Sequence, residues 1–103
     1  MEPAAPPNPN FFVFCVEGAI DLSTAAELQV DLDEAIGCHE GDLVVDCGGL
    51  TFIDSRGLAV LVETQRTLDA LGRELRVVNV DYTIERLFAV MGLREVLHVN
   101  DVP

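Results

Sequence analysis

The sequence predicts an α/β domain, because short apolar runs alternate along the chain with segments of helical periodicity. The runs, which are typical of buried strands, cover residues 11–16, 43–47 and 75–80. Apolar residues at helical spacing follow each run, over residues 25–36, 58–71 and 84–91. Apolar strands that alternate with helices usually pair in parallel, with the helices packed on the sheet. We therefore expect parallel strand pairs, with binding sites at the carboxyl ends of the strands.

The first strand–helix unit joins the aromatic and apolar run at residues 11–16 to the first helix. The N-cap of this helix is expected at Asp21, Ser23 or Thr24, because their side-chain oxygens can accept hydrogen bonds from unpaired N–H groups of the first turn. Gly37 is a plausible stop for the helix.

The second unit joins the run at residues 43–47 to a helix that begins near Asp54 and Ser55. Its apolar stripe extends from Leu58 to Leu71, and Gly72 ends it. Ser55 therefore follows a predicted strand at its carboxyl end, where sites gather in sheets of this kind.

The third unit joins the run at residues 75–80 to a short helix capped by Asp81 or Thr83 and ended by Gly92. In residues 93–99, one set of alternate positions, which includes Leu93, Leu97 and Val99, is mostly apolar, and this alternation predicts a final strand. The alternation of elements gives one domain over residues 11–103. Residues 1–10, which hold four of the five prolines, are expected to form a flexible tail.

The net charge of −12 limits the classes of partner. Nucleic acid and anionic membranes both require a basic surface, so neither is expected to bind. The acidity serves either solubility or the long-range attraction of a basic protein partner. No apolar run reaches the length of about 20 residues that a membrane span needs, and residues 1–10 lack the pattern of a signal peptide.

The cysteines are odd in number and not closely spaced, which favours a reducing cytoplasm over a disulfide framework. Cys15 and Cys47 fall on predicted neighbouring strands, where they are either core residues or a redox-regulated pair. His39 and His98 lack metal-ligand spacing, so no metal site is expected. Because the chain has neither a nucleotide-binding P-loop nor a nucleophile elbow, no enzymatic activity and no cofactor are expected.

The position of Ser55 leaves two interpretations open. Its hydroxyl can cap the second helix, which is a structural role. Alternatively, Ser55 can receive a phosphate, because the N–H groups and dipole at a helix N-terminus favour negative charge. Asp54 can likewise be the cap or part of a recognition surface, and Gly57 lets either a partner or an adjacent strand approach closely.

Four segments, in this order along the chain, resemble the STAS domain family, to which antagonists of bacterial anti-sigma factors belong. Residues 17–21 are similar to its Gly-x-x-Asp turn and residues 43–46 to the strand before its phosphorylation loop. Residues 52–58, Phe-Ile-Asp-Ser-Arg-Gly-Leu, are similar to its signature, and residues 84–93 to its third helix and exit. The resemblance extends over about residues 11–99.

The resemblance implies a STAS-like single domain, with a mixed, mostly parallel sheet of about four strands flanked by helices. It also implies an anti-sigma factor antagonist. The unphosphorylated form would bind a kinase-type anti-sigma factor and release its sigma factor. Phosphorylation at Ser55, which uses ATP and magnesium, would end binding, and a serine phosphatase would restore it. The protein would be a monomer or a weak dimer in the cytoplasm.

On this reading Ser55 is the phosphoacceptor and the residues near it form the docking surface. The expected docking residues are Asp21, Ser23, Thr24, Asp54, Arg56 and Gly57. Arg56 departs from the family, where many members have a small residue, and it could alter kinase choice or pair with the phosphate. The alternative function is a STAS scaffold that is not phosphorylated, or a redox sensor regulated through Cys15 and Cys47.

Overall fold

The computed structural model describes residues 10–100, which form three strands and three helices in alternation. In chain order these are β1 (Phe11–Ile20), α1 (Ala25–Cys38), β2 (Asp42–Ile53), α2 (Ser55–Ala70), β3 (Leu75–Val78) and α3 (Tyr82–Val90). Residues 1–9 of the predicted tail lie outside the described residues, as do residues 101–103. The α/β class predicted from the alternation is confirmed.

The sheet has the order β1-β2-β3, and both of these strand pairs are parallel. β1 pairs with β2 along its whole length, although the register shifts after Cys15 and again after Gly18. The pairing ends with Ile20 opposite Ile53. The residues that follow β1 and β2 are therefore delivered to the same place at the edge of the sheet.

One face of the sheet holds the hydrophobic core beneath the helices. The strands contribute Leu43, Val45, Leu75 and Val77, all of them buried. Helix α1 contributes the buried stripe Ala25, Leu28, Leu32 and Ile36. The opposite face is less covered, since Phe11 and Val13 of β1 remain 51% and 53% exposed.

The prediction of a fourth strand at residues 93–99 is wrong. The backbone turns there, and His98 and Asn100 have positive φ angles of 49° and 52°, which strand residues do not adopt. Val99 makes only an isolated parallel bridge to Val77. The apolar alternation arose because the turn buries alternate residues against the core, and burial at a spacing of two residues does not require an extended backbone.

Candidate functional site

The carboxyl ends of β1 and β2 bring two of the predicted site segments together. Asp21 directly follows Ile20, and Asp54 directly follows Ile53. The Asp54 N–H donates to the Ile20 carbonyl at 3.1 Å, which ties the two strand ends to each other. The turn after β1 and the start of α2 therefore form one surface, although 33 positions separate Asp21 from Asp54 in the sequence.

Helix α2 is capped by Asp54 and not by Ser55. The Asp54 Oδ1 atom accepts hydrogen bonds from the N–H groups of Arg56, at 2.9 Å, and Gly57, at 3.2 Å. Ser55 is the first residue of the helix and is exposed, and its hydroxyl has no hydrogen-bond partner among residues 10–100. The capping role that the sequence left open for Ser55 is thus filled by its neighbour, and the Ser55 hydroxyl is available to solvent.

The turn after β1 is held by its own polar side chains. The Asp21 Oδ1 atom accepts from the Ser23 N–H at 2.9 Å and from the Ser23 hydroxyl at 2.7 Å. These hydrogen bonds, with further ones from Thr24, lower the pKa of the Asp21 carboxyl below its ordinary value. Thr24 lies at the N-cap of α1, but its hydroxyl donates back to the Ala19 carbonyl at 3.0 Å. Asp21 is therefore an ionised carboxylate in a turn with fixed geometry.

Gly57 is buried, and its lack of a side chain sets how closely α2 approaches the sheet. A Cβ atom on Gly57 would lie 2.6 Å from the Ile53 Cγ1 atom and 2.8 Å from the Ile20 Cγ2 atom. Neither distance is compatible with ordinary packing. Gly57 therefore allows α2 to approach the ends of β1 and β2 closely, and this packing helps to fix the position of Ser55, two residues earlier in the helix.

Arg56 is the basic group nearest in sequence to Ser55. It is exposed, and within residues 10–100 it forms no ion pair. A guanidinium group in this position can pair with a phosphate by charge-assisted hydrogen bonds. The surface therefore combines an accessible hydroxyl, an accessible cation and the carboxylate of Asp21.

An apolar groove beside this surface was not anticipated from the sequence. It lies between the end of β2 and α3, with a volume of about 510 Å³. Phe52 and Tyr82 line it and are 52% and 72% exposed. Regular alternation along β2 would not have found it, because Leu50 and Ile53 are both buried while Thr51 and Phe52 between them are exposed, where the register with β1 shifts.

The structure does not bring Cys15 and Cys47 together as a redox pair. Both are free thiols, but Cys15 is exposed and Cys47 is buried. Cys15 lies opposite Asp46 in the sheet, so the next residue, Cys47, points to the other face. Burial, with a smaller contribution from the Asp46 carboxylate, raises the pKa of the Cys47 thiol to about 12. Such a thiol is protonated at neutral pH and is a poor nucleophile.

Two further classes of site are absent from the described residues. Residues 10–100 contain no group of three His, Cys, Asp or Glu side chains arranged to hold a metal ion. None of the helices in this part of the chain has the length and apolar character needed to span a membrane.

The STAS domain profile matches residues 2–102. The Anti-sigma-B factor antagonist of Staphylococcus aureus (strain NCTC 8325) is 32% identical over 92 residues, which span 89% of this chain and 85% of that protein. A solved anti-sigma factor antagonist from Mycobacterium paratuberculosis has a TM-score of 0.80 at 23% identity, over 97% of this chain and 85% of that chain. The anti-sigma factor antagonist SpoIIAA, in its unphosphorylated form, has a TM-score of 0.64 at 20% identity, over 77% and 73% of the two chains.

The two solved structures show that the fold is shared. The profile match extends over nearly the whole chain, and the Staphylococcus protein is a relative along most of its own length. The chain therefore belongs to the STAS domain family.

Proposed function

We propose that this protein is an anti-sigma factor antagonist whose binding is switched off by phosphorylation at Ser55. In the unphosphorylated form it binds a kinase-type anti-sigma factor in the cytoplasm and thereby releases a sigma factor. The name of the Staphylococcus relative supports the class of partner. The geometry around Ser55 supports the residue at which the switch acts.

The observation that carries the proposal is that Asp54, and not Ser55, caps α2. Because Asp54 caps α2, the Ser55 hydroxyl is exposed and makes no hydrogen bond with the described residues. A kinase can therefore reach it without breaking the cap. The new phosphate would lie at the N-terminus of a helix, where the dipole and nearby N–H groups favour an anion.

Phosphorylation would change the docking surface more than it changes the fold. A phosphoserine adds about −1.5 to −2 units of charge at neutral pH. That charge would appear on the surface that carries the ionised Asp21, in a hollow that Ser55 lines together with Met91 and Leu93. A partner that packs apolar or acidic groups on this surface would be repelled, whereas the helix itself would be stabilised or unchanged.

The chain offers a clean test because Ser23 and Ser55 are its only serines. Candidate anti-sigma kinases from the source organism are incubated with the protein, ATP and magnesium, and the phosphate is mapped by mass spectrometry. Ser55→Ala is expected to lose the label but to bind the unmodified partner with an affinity within about twofold of wild type. Ser55→Glu is expected to weaken binding by at least about tenfold, which is equivalent to about 1.4 kcal/mol.

Ser23→Ala is the matched control. It controls for the position of the phosphate, because the Ser23 hydroxyl is the other serine hydroxyl and donates to Asp21. The phosphate of this variant is expected to remain at Ser55; the labelling rate is not compared, because Ser23 is one of the expected docking residues. Phosphate at another residue, or partner binding that Ser55→Glu does not weaken, would contradict the proposal. The redox alternative has less support, because Cys15 and Cys47 lie on opposite faces of the sheet.

A further inference from the structure

A groove runs along the outer edge of β1, on the side of this strand that faces away from β2. One end of the groove reaches Thr24, in the turn that follows β1. β1 is an edge strand of the described sheet, since β2 is its only strand partner within residues 10–100. Two adjoining hollows of about 240 and 350 Å³ lie between this edge and α1, and Phe14 and Asp31 line both. Consecutive β1 residues of both orientations line the first hollow, as expected where a strand presents its backbone edge.

The helix wall of this groove is acidic. Glu27, Asp31 and Glu34 follow one another at spacings of four and three residues, so they form one stripe along α1. None of the three forms an ion pair with a cation of residues 10–100, and α1 itself contains no basic residue. The stripe is a line of unneutralised charge above an edge strand whose outward N–H and C=O groups can still pair.

We propose that this groove binds an extended, basic segment of a protein partner, which adds to the sheet as a strand beside β1. The carboxylates of Glu27 and Asp31 are separated by one helical step of four residues, about 6 Å along the axis. Alternate side chains of a strand are about 6.8 Å apart. Arginine or lysine at two alternate positions would therefore meet Glu27 and Asp31, whereas Glu34, about 4.5 Å further along the axis, would add to the negative potential at the end of the stripe.

The side chains between the basic positions of the added strand would point to the other face of the sheet, away from α1. Phe11 and Val13 are half exposed on the face of the sheet that points away from α1. Side chains between the basic positions would extend that face, and apolar residues there would cover these two side chains. The preferred sequence thus alternates basic and apolar residues, and main-chain hydrogen bonds supply the rest of the affinity.

Two other occupants fit the groove less well on their charges and composition. A second copy of the chain would place its own acidic stripe and a net charge of −12 against the same carboxylates. Residues 1–9 contain no lysine or arginine, and prolines at positions 3, 6, 7 and 9 cannot donate ladder hydrogen bonds. A basic partner segment would neutralise the acidic stripe of α1 and form main-chain hydrogen bonds with the edge of β1.

The test uses a labelled peptide, Val-Arg-Val-Arg-Val-Arg-Val, titrated with the full chain and followed by fluorescence anisotropy. Hydrogen exchange measured by NMR reports whether the outward amides of β1 become protected. The alternating peptide is expected to bind at least about tenfold more tightly than a block peptide of the same composition, because only alternation matches both faces. An N-methylated version, which lacks the donors of a strand, is expected to lose most of this binding.

Neutralising the stripe with Glu27→Gln, Asp31→Asn and Glu34→Gln together is expected to weaken binding about tenfold. The matched control neutralises three exposed acidic residues that do not line the groove, Asp33→Asn on another face of α1, Asp69→Asn on α2 and Glu95→Gln after α3, and should change binding less than about twofold. Equal weakening in both triple variants would show that only net charge matters and would overturn the proposal. Since all six positions are exposed, unfolding of the variants is not expected, and circular dichroism checks it.

The peptide-free protein provides two further outcomes that would overturn the proposal. Protection of the outward β1 amides at every protein concentration would show that another segment of the same chain occupies the edge. Protection that rises with protein concentration would show that a second copy does. Exchange that is fast until the alternating peptide is added supports the proposal.

Discussion

The two serines of the chain have opposite environments. The Ser23 hydroxyl donates to the Asp21 carboxylate at 2.7 Å, whereas the Ser55 hydroxyl is exposed and makes no hydrogen bond with residues 10–100. The contrast depends on a single neighbour, because Asp54 provides the capping oxygen that Ser55 could otherwise have supplied. The accessibility of the Ser55 hydroxyl therefore depends on the cap that Asp54 provides.

Gly57→Ala is expected to destabilise the protein by about 1–3 kcal/mol, since the added methyl group would overlap Ile53 and Ile20. Urea denaturation followed by circular dichroism measures the change. Gly37→Ala is the control, because a Cβ atom there meets nothing within 4 Å and alanine favours the helix by up to about 1 kcal/mol. Equal stability of the two variants would show that Gly57 does not set the approach of α2.

Cys47 is expected to be inert to thiol reagents in the folded protein, whereas Cys15 and Cys38 react. Cys47 is buried and its thiol pKa is raised to about 12, while the other two cysteines are exposed. A thiol count near neutral pH should find two fast cysteines in the folded protein and all three after denaturation. Three equally fast thiols would contradict this burial.

The raised pKa of Cys47 also predicts a pH dependence of stability. The folded state holds the thiol proton more tightly than the unfolded chain does, whose ordinary pKa is 9.0. This contribution is complete below about pH 9 and is lost as the pH rises towards 12. The difference in unfolding free energy between wild type and Cys47→Ala should therefore shrink above pH 9. A constant difference would argue against burial of the thiol proton.

At the scale of elements, Arg73 joins the end of α1 to the start of β2. Its guanidinium donates to the carbonyls of Gly41, Ile36 and His39, and its side chain lies over the ring of Phe12, 5.9 Å from the centroid. Carbonyl groups at a helix end otherwise lack partners. The Arg73 guanidinium thus donates hydrogen bonds to three carbonyl groups of this connection that helix and strand pairing leave without donors.

Arg73→Lys is expected to destabilise the protein by about 1–3 kcal/mol, because an ammonium group cannot reproduce the planar set of donors. Chemical denaturation measures the effect. Arg66→Lys is the matched control on the neighbouring helix, since Arg66 makes only an exposed ion pair with Glu63. If Arg73→Lys lowers the free energy of unfolding no more than Arg66→Lys does, the hydrogen bonds of Arg73 to the three carbonyl groups do not stabilise the fold as expected.

For the whole molecule, self-repulsion is the dominant electrostatic feature. The net charge is −12, and the ion pairs of the described residues are few and partly exposed. Raising sodium chloride from about 10 mM to about 0.5 M is expected to raise the thermal midpoint, because screening weakens the repulsion. Scanning calorimetry measures it. A midpoint that falls with salt would show that attractive pairs outweigh the repulsion.

The order of elements was predictable from the sequence because periodicity is a local property. Apolar runs predicted the three strands, and the apolar stripes predicted the three helices. The error at residues 93–99 has the same origin, since alternation reports which side chains are buried and not whether the backbone is extended. Strand ends were also misjudged: β2 continues to Ile53, because pairing with β1 carries both strands past their apolar runs.

The sequence by itself determined the class of fold, the helix periodicity, the acidity and the resemblance to the STAS family, because these depend on residue type and local spacing. Only the tertiary structure decided that Asp54 caps α2, that Gly57 is a packing residue and that Ser55 is exposed. These properties depend on atoms from β1, β2 and α2 that meet in space, and pairing between distant segments is not encoded in the spacing within any one of them.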